Sequence, residues 1–318
     1  MTTDNLFIDN SMRGKSLLSI SDLSISEINK IFEVAAFLKK KPLLEQVNDP
    51  VLPGKTLAMI FEKPSLRTRV TFETGMTQLG GHAIYLQPAD IQLGKRETVP
   101  DAAQNLSRWV QGIMARTFAH KTVTDLAEYA SVPVINGLSD LEHPCQALAD
   151  FLTILEHKKD FSKVNLAYIG DGNNVCHSLM LLAGKVGASM TVGCPAGYEP
   201  DLQVTATAKQ YASETGATLE IFNDAYKAVD GANVIYTDVW ASMGQESEHN
   251  DRIPIFQPFQ VNKQLIDAAE DDVIVMHCLP AKRGEEITDE VLDAPYSLVL
   301  DEAENRLHAQ KAVMALIM

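Results

Sequence analysis

The chain has 318 residues, enough for two domains of ordinary size, and its 46% hydrophobic and 22% charged residues exclude a disordered protein. Its formal net charge of −15 argues against a general role in nucleic-acid binding. An anionic substrate would therefore need a local cationic pocket within this negative field.

Short apolar runs alternate with segments of helical periodicity along the chain. The predicted strands cover residues 57–61, 83–86, 112–115, 132–135, 165–169, 190–194, 219–222, 234–237 and 273–277. The predicted helices cover residues 65–79, 145–156, 177–185, 203–214 and 302–316. This alternation predicts an α/β fold of two doubly wound domains, each with a central parallel sheet flanked by helices. Ligands of such folds bind at the carboxyl ends of the strands.

Cysteine usage and apolar patterning indicate the compartment. The four cysteines form no CxxC pair, which predicts reduced thiols rather than a disulfide framework. The first ten residues lack a secretory pattern, and no apolar run approaches the roughly 18 residues of a membrane span. We therefore expect a cytoplasmic protein that binds neither membrane nor nucleic acid.

The first predicted strand leads into a candidate anion site. Ser65 and Thr68 offer hydroxyl groups at the start of a predicted helix, where unpaired N–H groups and partial positive charge favour phosphate. Arg67 adds a guanidinium whose paired donors match phosphate oxygens. The alternative is that Ser65 is an ordinary helix cap and the arginines are solvated, with Arg69 and Glu73 spaced as a surface ion pair.

Further polar side chains follow other predicted strands. Arg116 follows the third strand, His143 and Gln146 follow the fourth, and Arg306 is expected to open the last helix. A single arginine or histidine is usually structural, but four such positions after separate elements favour a shared anion site.

Five short motifs occur in a fixed order and cover nearly the whole chain. Residues 65–69 read Ser-Leu-Arg-Thr-Arg, residues 143–146 read His-Pro-Cys-Gln, and residues 238–244 fit Asp-x-x-x-Ser-Met-Gly. Residues 277–280 read His-Cys-Leu-Pro, and residues 304–308 read Glu-Asn-Arg-Leu-His. Together they resemble the aspartate and ornithine carbamoyltransferase superfamily, and the motifs at 238–244 and 277–280 are similar to its ornithine branch.

The resemblance implies two α/β domains with different substrates. Carbamoyl phosphate is expected on residues 1–144, ornithine on residues 145–301, and the C-terminal helix at 302–318 is expected to pack back on the first domain. The family likeness also implies a homo-oligomer, either a trimer or a multiple of trimers. The reaction converts carbamoyl phosphate and L-ornithine to L-citrulline and phosphate, an arginine-biosynthesis step, and needs no metal or organic cofactor.

Site residues follow from the matched motifs. Those implied for carbamoyl phosphate are Ser65, Leu66, Arg67, Thr68, Gln92, Arg116, His143, Pro144, Cys145, Gln146, Cys278, Leu279 and Arg306. Those implied for ornithine are Asn174, Asp238, Ser242 and Met243, and the catalytic set is Arg116, His143, Asp238 and Cys278. Leu66 replaces the family's Thr and would contribute only its backbone N–H. Gln92 is a candidate to reach the site of an adjacent subunit, and Asn174 has the alternative role of a helix cap.

Other functions remain open from the sequence. A nucleotide-binding dehydrogenase is suggested by Gly170 and Gly172 after a strand, but Val175 occupies the third glycine position of that fingerprint. Aspartate, a diamine or an acylated ornithine are alternative acceptors, although Asp238 favours a cationic one. A non-catalytic relative and a role in arginine breakdown are further alternatives.

Overall fold

The structure is a computed structural model that describes residues 10–40, 51–242, 244 and 246–318. These residues form two compact units, one containing the residues up to 149 together with 305–318, and the other containing residues 150–304. Each unit has its own parallel sheet flanked by helices, so the predicted fold class is confirmed. The predicted domain limits, after residues 144 and 301, stay predictions.

The first unit is built on a four-stranded sheet. Its strands are β1 (Thr56–Phe61), β2 (His82–Leu86), β3 (Gly112–Arg116) and β4 (Val134–Leu138). Its helices are α1 (Ile25–Lys39), α2 (Leu66–Gln78), α3 (Pro88–Ile91), α4 (Val99–Leu106), α5 (His120–Tyr129) and the first part of α6 (Pro144–Lys158), with a 3-10 turn at Ile20–Asp22. The strand order is β2-β1-β3-β4, and all neighbouring pairs are parallel.

The second unit is built on a five-stranded sheet. Its strands are β5 (Asn165–Ile169), β6 (Ser189–Gly193), β7 (Leu219–Phe222), β8 (Val234–Thr237) and β9 (Ile274–His277). Its helices are α7 (Asn174–Val186), α8 (Leu202–Thr215), α9 (Ala225–Val229), α10 (His249–Phe256), α11 (Lys263–Ile266), α12 (Asp289–Leu292) and the start of α13 (Val299–Ile317), with 3-10 turns at Phe161–Lys163, Glu246–Glu248 and Gln257–Phe259. The order is β7-β6-β5-β8-β9, again all parallel.

Each sheet is covered on both faces, so its central strands are continuously apolar rather than alternating. In β1 every residue from Leu57 to Phe61 is buried, and β3 is buried throughout. In the second unit β8 and β9 are fully buried as well. These buried strands hold the side chains that follow them in fixed positions.

All nine predicted strands are present, but three site-bearing elements differ in their bounds. The fourth strand begins at Val134 rather than at residue 132 and extends through Asn136 and Gly137. Arg116 is the last residue of β3 instead of following it. Arg306 lies well inside α13, which begins at Val299, and does not open that helix.

The strand order places the candidate residues. In the first sheet the order reverses between β1 and β3, and in the second it reverses between β5 and β8. Such switch points leave a crevice at the carboxyl ends of the strands, where ligands bind in open α/β sheets.

Among the described residues, no helix is both long and apolar enough to cross a membrane.

Candidate active site

The N-terminus of α2 follows β1 at the switch point of the first sheet. Ser65 caps this helix, and its hydroxyl accepts a hydrogen bond from the Thr68 N–H at 3.3 Å. Leu66 is the first helical residue, and its side chain is 74% exposed. Arg69 follows the structural alternative, because its Nε lies 3.0 Å from Glu73 and its guanidinium stacks on Tyr85. The cap and the surface pair therefore account for Ser65 and Arg69, but not for Arg67 and Thr68.

Several cationic and polar groups converge in the first unit, and we call Arg67, Arg116, His143 and Arg306 the cationic cluster. Arg116, His143 and Arg306 are buried, whereas Arg67 is half-buried. Arg306 donates from Nη1 to Gln146 Oε1, and from Nη2 to Thr68 Oγ1 at 3.1 Å. These bonds join α2, α6 and α13, and Arg116 at the end of β3 lies within electrostatic reach of His143.

The pKa of His143 reflects its burial and the positive charges of this cluster. Burial lowers the pKa of His143 well below its ordinary value of 6.5, and the charges of Arg306, Arg116 and Arg67 lower it further. The imidazole is therefore neutral near pH 7. It can donate one hydrogen bond without adding a fourth positive charge.

The loop that carries His143 is fixed by the N-terminal segment. Glu142 is buried and accepts hydrogen bonds from the Ser19 hydroxyl and, at 3.1 Å, from the Ile20 N–H. The Glu142 N–H in turn donates to Ser139 Oγ. We call the contact of Ser19 and Ile20 with Glu142 the N-terminal brace. It holds the backbone immediately before His143.

Two residues after His143 have different surroundings. Pro144 is the first residue of α6, where its missing N–H costs no helical hydrogen bond. The Cys145 thiol donates to Asn136 O at 3.5 Å, and burial raises the pKa of this thiol to about 12. The Cys145 side chain therefore faces β4 as a protonated, structural thiol.

Gln92 differs from these buried residues in its exposure to solvent. It ends α3 in the left-handed conformation, with φ 46°, and its side chain is exposed. Contact with another subunit would require an exposed side chain of this kind.

In the second unit, a carboxylate and two donors meet at the ends of β5, β8 and β9. We call Asn173, Asp238 and Cys278 the acidic clamp. Asp238 is buried; its Oδ2 accepts from Asn173 Nδ2 at 2.8 Å, and its Oδ1 accepts from Cys278 Sγ at 3.1 Å. Burial, followed by the charge of Asp238, raises the pKa of Cys278 well above its ordinary value. Cys278 is therefore a protonated hydrogen-bond donor and not a thiolate nucleophile.

The backbone after β9 is shaped by a buried histidine. His277 Nδ1 accepts from the Leu279 N–H at 2.8 Å, which leaves Nε2–H to face Glu286 Oε1 at 3.0 Å. Leu279 has φ 55°, an uncommon value for a branched residue, and this hydrogen bond helps to hold it.

One group of side chains in the described residues has the types and spacing of a metal site. Ligand atoms of Asp238, His277 and Cys278 lie within 4.8 Å of one another. Both ring nitrogens of His277 are engaged, with Leu279 and Glu286, and the Cys278 thiol donates to Asp238. This chemistry fits a hydrogen-bonded cluster better than a metal centre.

The turn after β5 corrects the expected position of a helix cap. Asn173, not Asn174, caps α7, and Asn174 is the first helical residue. The Asn173 side chain accepts from two first-turn N–H groups through Oδ1 while its Nδ2 donates to Asp238. Gly172 is required here, since a Cβ would lie 2.2 Å from the backbone nitrogen of Pro200.

The loop after β8 is anchored at its base. Ser242 is half-buried, and Met243 lies outside the described residues. Arg252 of α10 is buried and donates from Nη1 to Asp171 Oδ2 at 3.0 Å and to Trp240 O at 2.8 Å. Burial raises the pKa of Asp171 to about 6 even though Arg252 opposes the shift. Arg252 therefore joins the start of this loop to the turn after β5.

Both halves of the chain are similar to known protein domains. Residues 15–156 match the model of the aspartate/ornithine carbamoyltransferase carbamoyl-P binding domain, and residues 162–317 match that of the Asp/Orn binding domain. The chain belongs to the aspartate/ornithine carbamoyltransferase family.

Relatives in this carbamoyltransferase family are similar over almost their full length. The chain is 57% identical over 310 residues to an ornithine carbamoyltransferase of Pyrococcus horikoshii, covering 97% of each chain. It is 56% identical to an anabolic ornithine carbamoyltransferase of Pyrococcus furiosus, covering 97% of this chain and 98% of the relative. The solved ornithine carbamoyltransferase structure from that organism has a TM-score of 0.93, with 96% and 98% of the two chains covered. Membership in the family replaces the dehydrogenase alternative.

Two residues that belong to these clusters or support them were not predicted from the sequence. Asn173 was missed because a cap and a ligand contact look alike in sequence. Gln310 supports Arg306: with its amide turned to satisfy both neighbours, its oxygen accepts from Arg306 Nη2 at 2.9 Å and its nitrogen donates to Thr71. The spacing of 306 and 310 on one helix face was an available signal.

Proposed function

We propose that this chain is an ornithine carbamoyltransferase, which transfers the carbamoyl group of carbamoyl phosphate to the side-chain amine of L-ornithine. The observation that carries the proposal is the pairing of two opposite clusters in one chain. The cationic cluster suits a dianionic donor, and the acidic clamp suits a cationic acceptor. Relatives named ornithine carbamoyltransferase, at 51–57% identity, support the same reaction.

For the donor, we assign the phosphate to the start of α2. Its first-turn N–H groups, which include that of Leu66, and the Arg67 guanidinium bind the phosphate oxygens, with Ser65 and Thr68 beside them. Gln146, Pro144 and Leu279 orient the carbamoyl group. Cys145 contributes through its backbone, because its thiol faces β4.

For the acceptor, we assign ornithine to the second unit. Asp238 binds the side-chain amine, Asn174 binds the amino-acid end, and Ser242 and Met243 belong to the loop that closes over the ligand. Aspartate would bring two carboxylates, so its site would need extra arginines or lysines near this position. The acidic clamp instead presents Asp238, a thiol and an amide.

The chemistry joins the amine nitrogen to the carbonyl carbon. The nitrogen attacks the carbon in its neutral, free-amine form, and the carbonyl oxygen gains charge in the tetrahedral intermediate. The bond to the phosphate oxygen then breaks, and the proton that the nitrogen gives up leaves with the phosphate. Arg116 and the neutral His143 donate to the developing oxyanion, each worth about 3 kcal/mol by comparison with other oxyanion donors. Arg306 and Arg67 neutralise the departing phosphate. The protonated Cys278 donates to Asp238 and so keeps that carboxylate aligned with the amine. Neither a metal nor an organic cofactor takes part in these steps.

The first test is a citrulline assay on wild-type protein and two variants. Arg67→Ala removes the guanidinium that binds the phosphate oxygens. We therefore expect the kcat/KM for carbamoyl phosphate to fall by about a thousandfold, with a smaller change in ornithine KM. Asp238→Ala removes the amine partner, so we expect the reverse pattern. Arg69→Ala is the matched control for Arg67, because Arg69 pairs with Glu73 at the surface. Full activity of both site variants would refute the assignment.

Acceptor choice is tested by offering aspartate, putrescine, lysine and acetylornithine beside ornithine. Preference for ornithine supports the proposal, and preference for any other acceptor overturns it. Absence of citrulline formation with every acceptor would favour a non-catalytic relative. We place the enzyme in arginine biosynthesis, in keeping with the relative named anabolic.

We further propose a cytoplasmic homotrimer, or a multiple of trimers, in which Gln92 completes the site of a neighbouring subunit. Gln92→Ala and Arg67→Ala should each be nearly inactive alone. Co-expressed hybrids should regain activity, because some sites combine the intact Arg67 of one chain with the intact Gln92 of the other. Hybrids without activity would place Gln92 in its own chain's site, and light scattering would give the number of chains.

A further inference from the structure

A buried carboxyl group links the two strands that carry the acidic clamp. Glu302 of α13 accepts a hydrogen bond from the Tyr236 hydroxyl at Oε1 over 3.1 Å, and from the His277 N–H at Oε2 over 2.9 Å. Tyr236 lies in β8 and His277 ends β9, and both are fully buried. Glu302 is therefore bonded to both strands at once.

These contacts lie directly before two of the clamp residues. Asp238 follows Tyr236 by two residues, and Cys278 follows His277 by one. The strands are paired in this region, with Thr237 opposite His277, but the pairing ends there. Beyond that point, the Asp238 to Cys278 hydrogen bond at 3.1 Å depends on how firmly the strand ends are held.

The charge state of Glu302 follows from its neighbour. Its carboxyl group is hydrogen-bonded to that of Asp150, which is also fully buried. Two carboxyl groups in hydrogen-bond contact must share a proton, since both cannot ionise in a buried site. Burial and Asp150 together raise the pKa of Glu302 well above its ordinary value. The pair thus holds a proton near pH 7, and an uncharged amide resembles Glu302 in this state.

We propose that Glu302 is a positioning residue for the acceptor amine, which sets the separation of Asp238 and Cys278 by fixing the ends of β8 and β9. The inference rests on the proposed function, in which these two residues bind the amine. Glu302 touches no substrate in this scheme. It acts through the Tyr236 hydroxyl and the His277 N–H, and it shares its proton with Asp150.

The test compares three variants with the wild type. Glu302→Leu removes both acceptor atoms at similar volume. Glu302→Gln retains an oxygen for the His277 N–H, and its amide can donate to the Tyr236 oxygen. Tyr236→Phe deletes one of the two contacts. Each is assayed for ornithine KM, carbamoyl-phosphate KM and kcat, for phosphate binding by calorimetry, and for alkylation of Cys278 by iodoacetamide, followed by peptide mass spectrometry.

We expect Glu302→Leu to lower the kcat/KM for ornithine by about 10- to 100-fold, because the buried Tyr236 hydroxyl and His277 N–H lose their acceptor. Carbamoyl-phosphate KM and phosphate binding should change by less than about twofold, because the cationic cluster is formed by other residues. Glu302→Gln should restore ornithine use to within a few-fold, Tyr236→Phe should be intermediate, and Cys278 should alkylate faster in Glu302→Leu.

Three outcomes would overturn the inference. One is an unchanged kcat/KM for ornithine in Glu302→Leu; another is an equal fall in that kcat/KM in the Gln and Leu variants; the third is a parallel loss for both substrates. If the Leu variant does not fold, an unchanged kcat/KM for ornithine in Tyr236→Phe overturns the inference in its place. A wild type that makes no citrulline refutes the proposed function instead, and the alkylation rates still test the positioning role.

Discussion

A neutral histidine among three arginines is the main electrostatic feature of the cationic cluster. Burial is the main cause of the lowered pKa of His143, and the three arginines lower it further because a protonated His143 would be a fourth positive group beside them. A neutral imidazole still has one N–H that can donate to a developing oxyanion. Removing any of the three arginines therefore raises the pKa of His143 toward its ordinary value.

The Cys278 thiol gives a prediction that separates hydrogen bonding from nucleophilic chemistry. Cys278→Ala removes the donor to Asp238, so we expect the kcat/KM for ornithine to fall by about tenfold. Cys278→Ser keeps an O–H donor and should lose less. Steady-state kinetics in ornithine give the measurement, and Cys194→Ala is the control, because that buried thiol lies outside the clamp. Equal and complete loss in both Cys278 variants would instead indicate a thiolate nucleophile.

Members of the two clusters were predictable where they belong to a local motif. Arg67, His143, Asp238 and Cys278 were identified by motifs of four to seven residues. Glu302 was not, because its partners Tyr236 and His277 are distant in sequence and the fold alone brings them together.

At the scale of elements, the N-terminal brace fixes a loop through two hydrogen bonds to Glu142. Glu142→Ala leaves the Ser19 hydroxyl and the Ile20 N–H without their acceptor, so we expect a loss of about 1–3 kcal/mol in unfolding free energy. The displaced His143 should raise carbamoyl-phosphate KM and leave ornithine KM nearly unchanged. Urea unfolding and kinetics check both effects.

The matched control for this prediction is Glu142→Gln, which keeps one acceptor oxygen and should be milder in both measurements. A stable Glu142→Ala protein with unaltered carbamoyl-phosphate KM would show that His143 needs no support from the N-terminal segment.

The elements were predictable where apolar runs mark them and less so elsewhere. β4 was placed two residues early because Asn136 and Gly137 do not look like strand residues, although Asn136 is buried and bonded to Leu18 O. The helix at Ile25–Lys39 was missed despite its capping box of Ser24 and Glu27. Tertiary contacts decide the extent of β4, whereas the local signal for the helix was present in the sequence.

For the whole molecule, the buried Asp171 predicts a pH dependence of stability. Its pKa rises from 3.8 to about 6, so folding favours its protonated form. Its contribution to stability is therefore full below pH 3.8 and is lost as the pH rises through about 6. Relative to Asp171→Asn, the wild type should lose about 1 kcal/mol of unfolding free energy between pH 5 and pH 8.

Urea unfolding of both proteins at the two pH values gives this measurement. Asp160→Asn serves as the control: hydrogen bonds from Ser162 lower the pKa of Asp160 at the surface, so no comparable loss is expected above pH 5. A wild type that gains stability relative to Asp171→Asn over this interval would mean that the attraction of Arg252 outweighs burial.

The acidic clamp is assembled wholly from residues 173–278, and the cationic cluster from residues outside that span. Under the proposed function, a lineage could therefore exchange one acceptor for another by altering the segments after β5, β8 and β9, while the handling of the activated donor stayed intact. The residues that handle the donor could then be inherited unchanged while the acceptor changed, because the two sets are encoded in different parts of the gene.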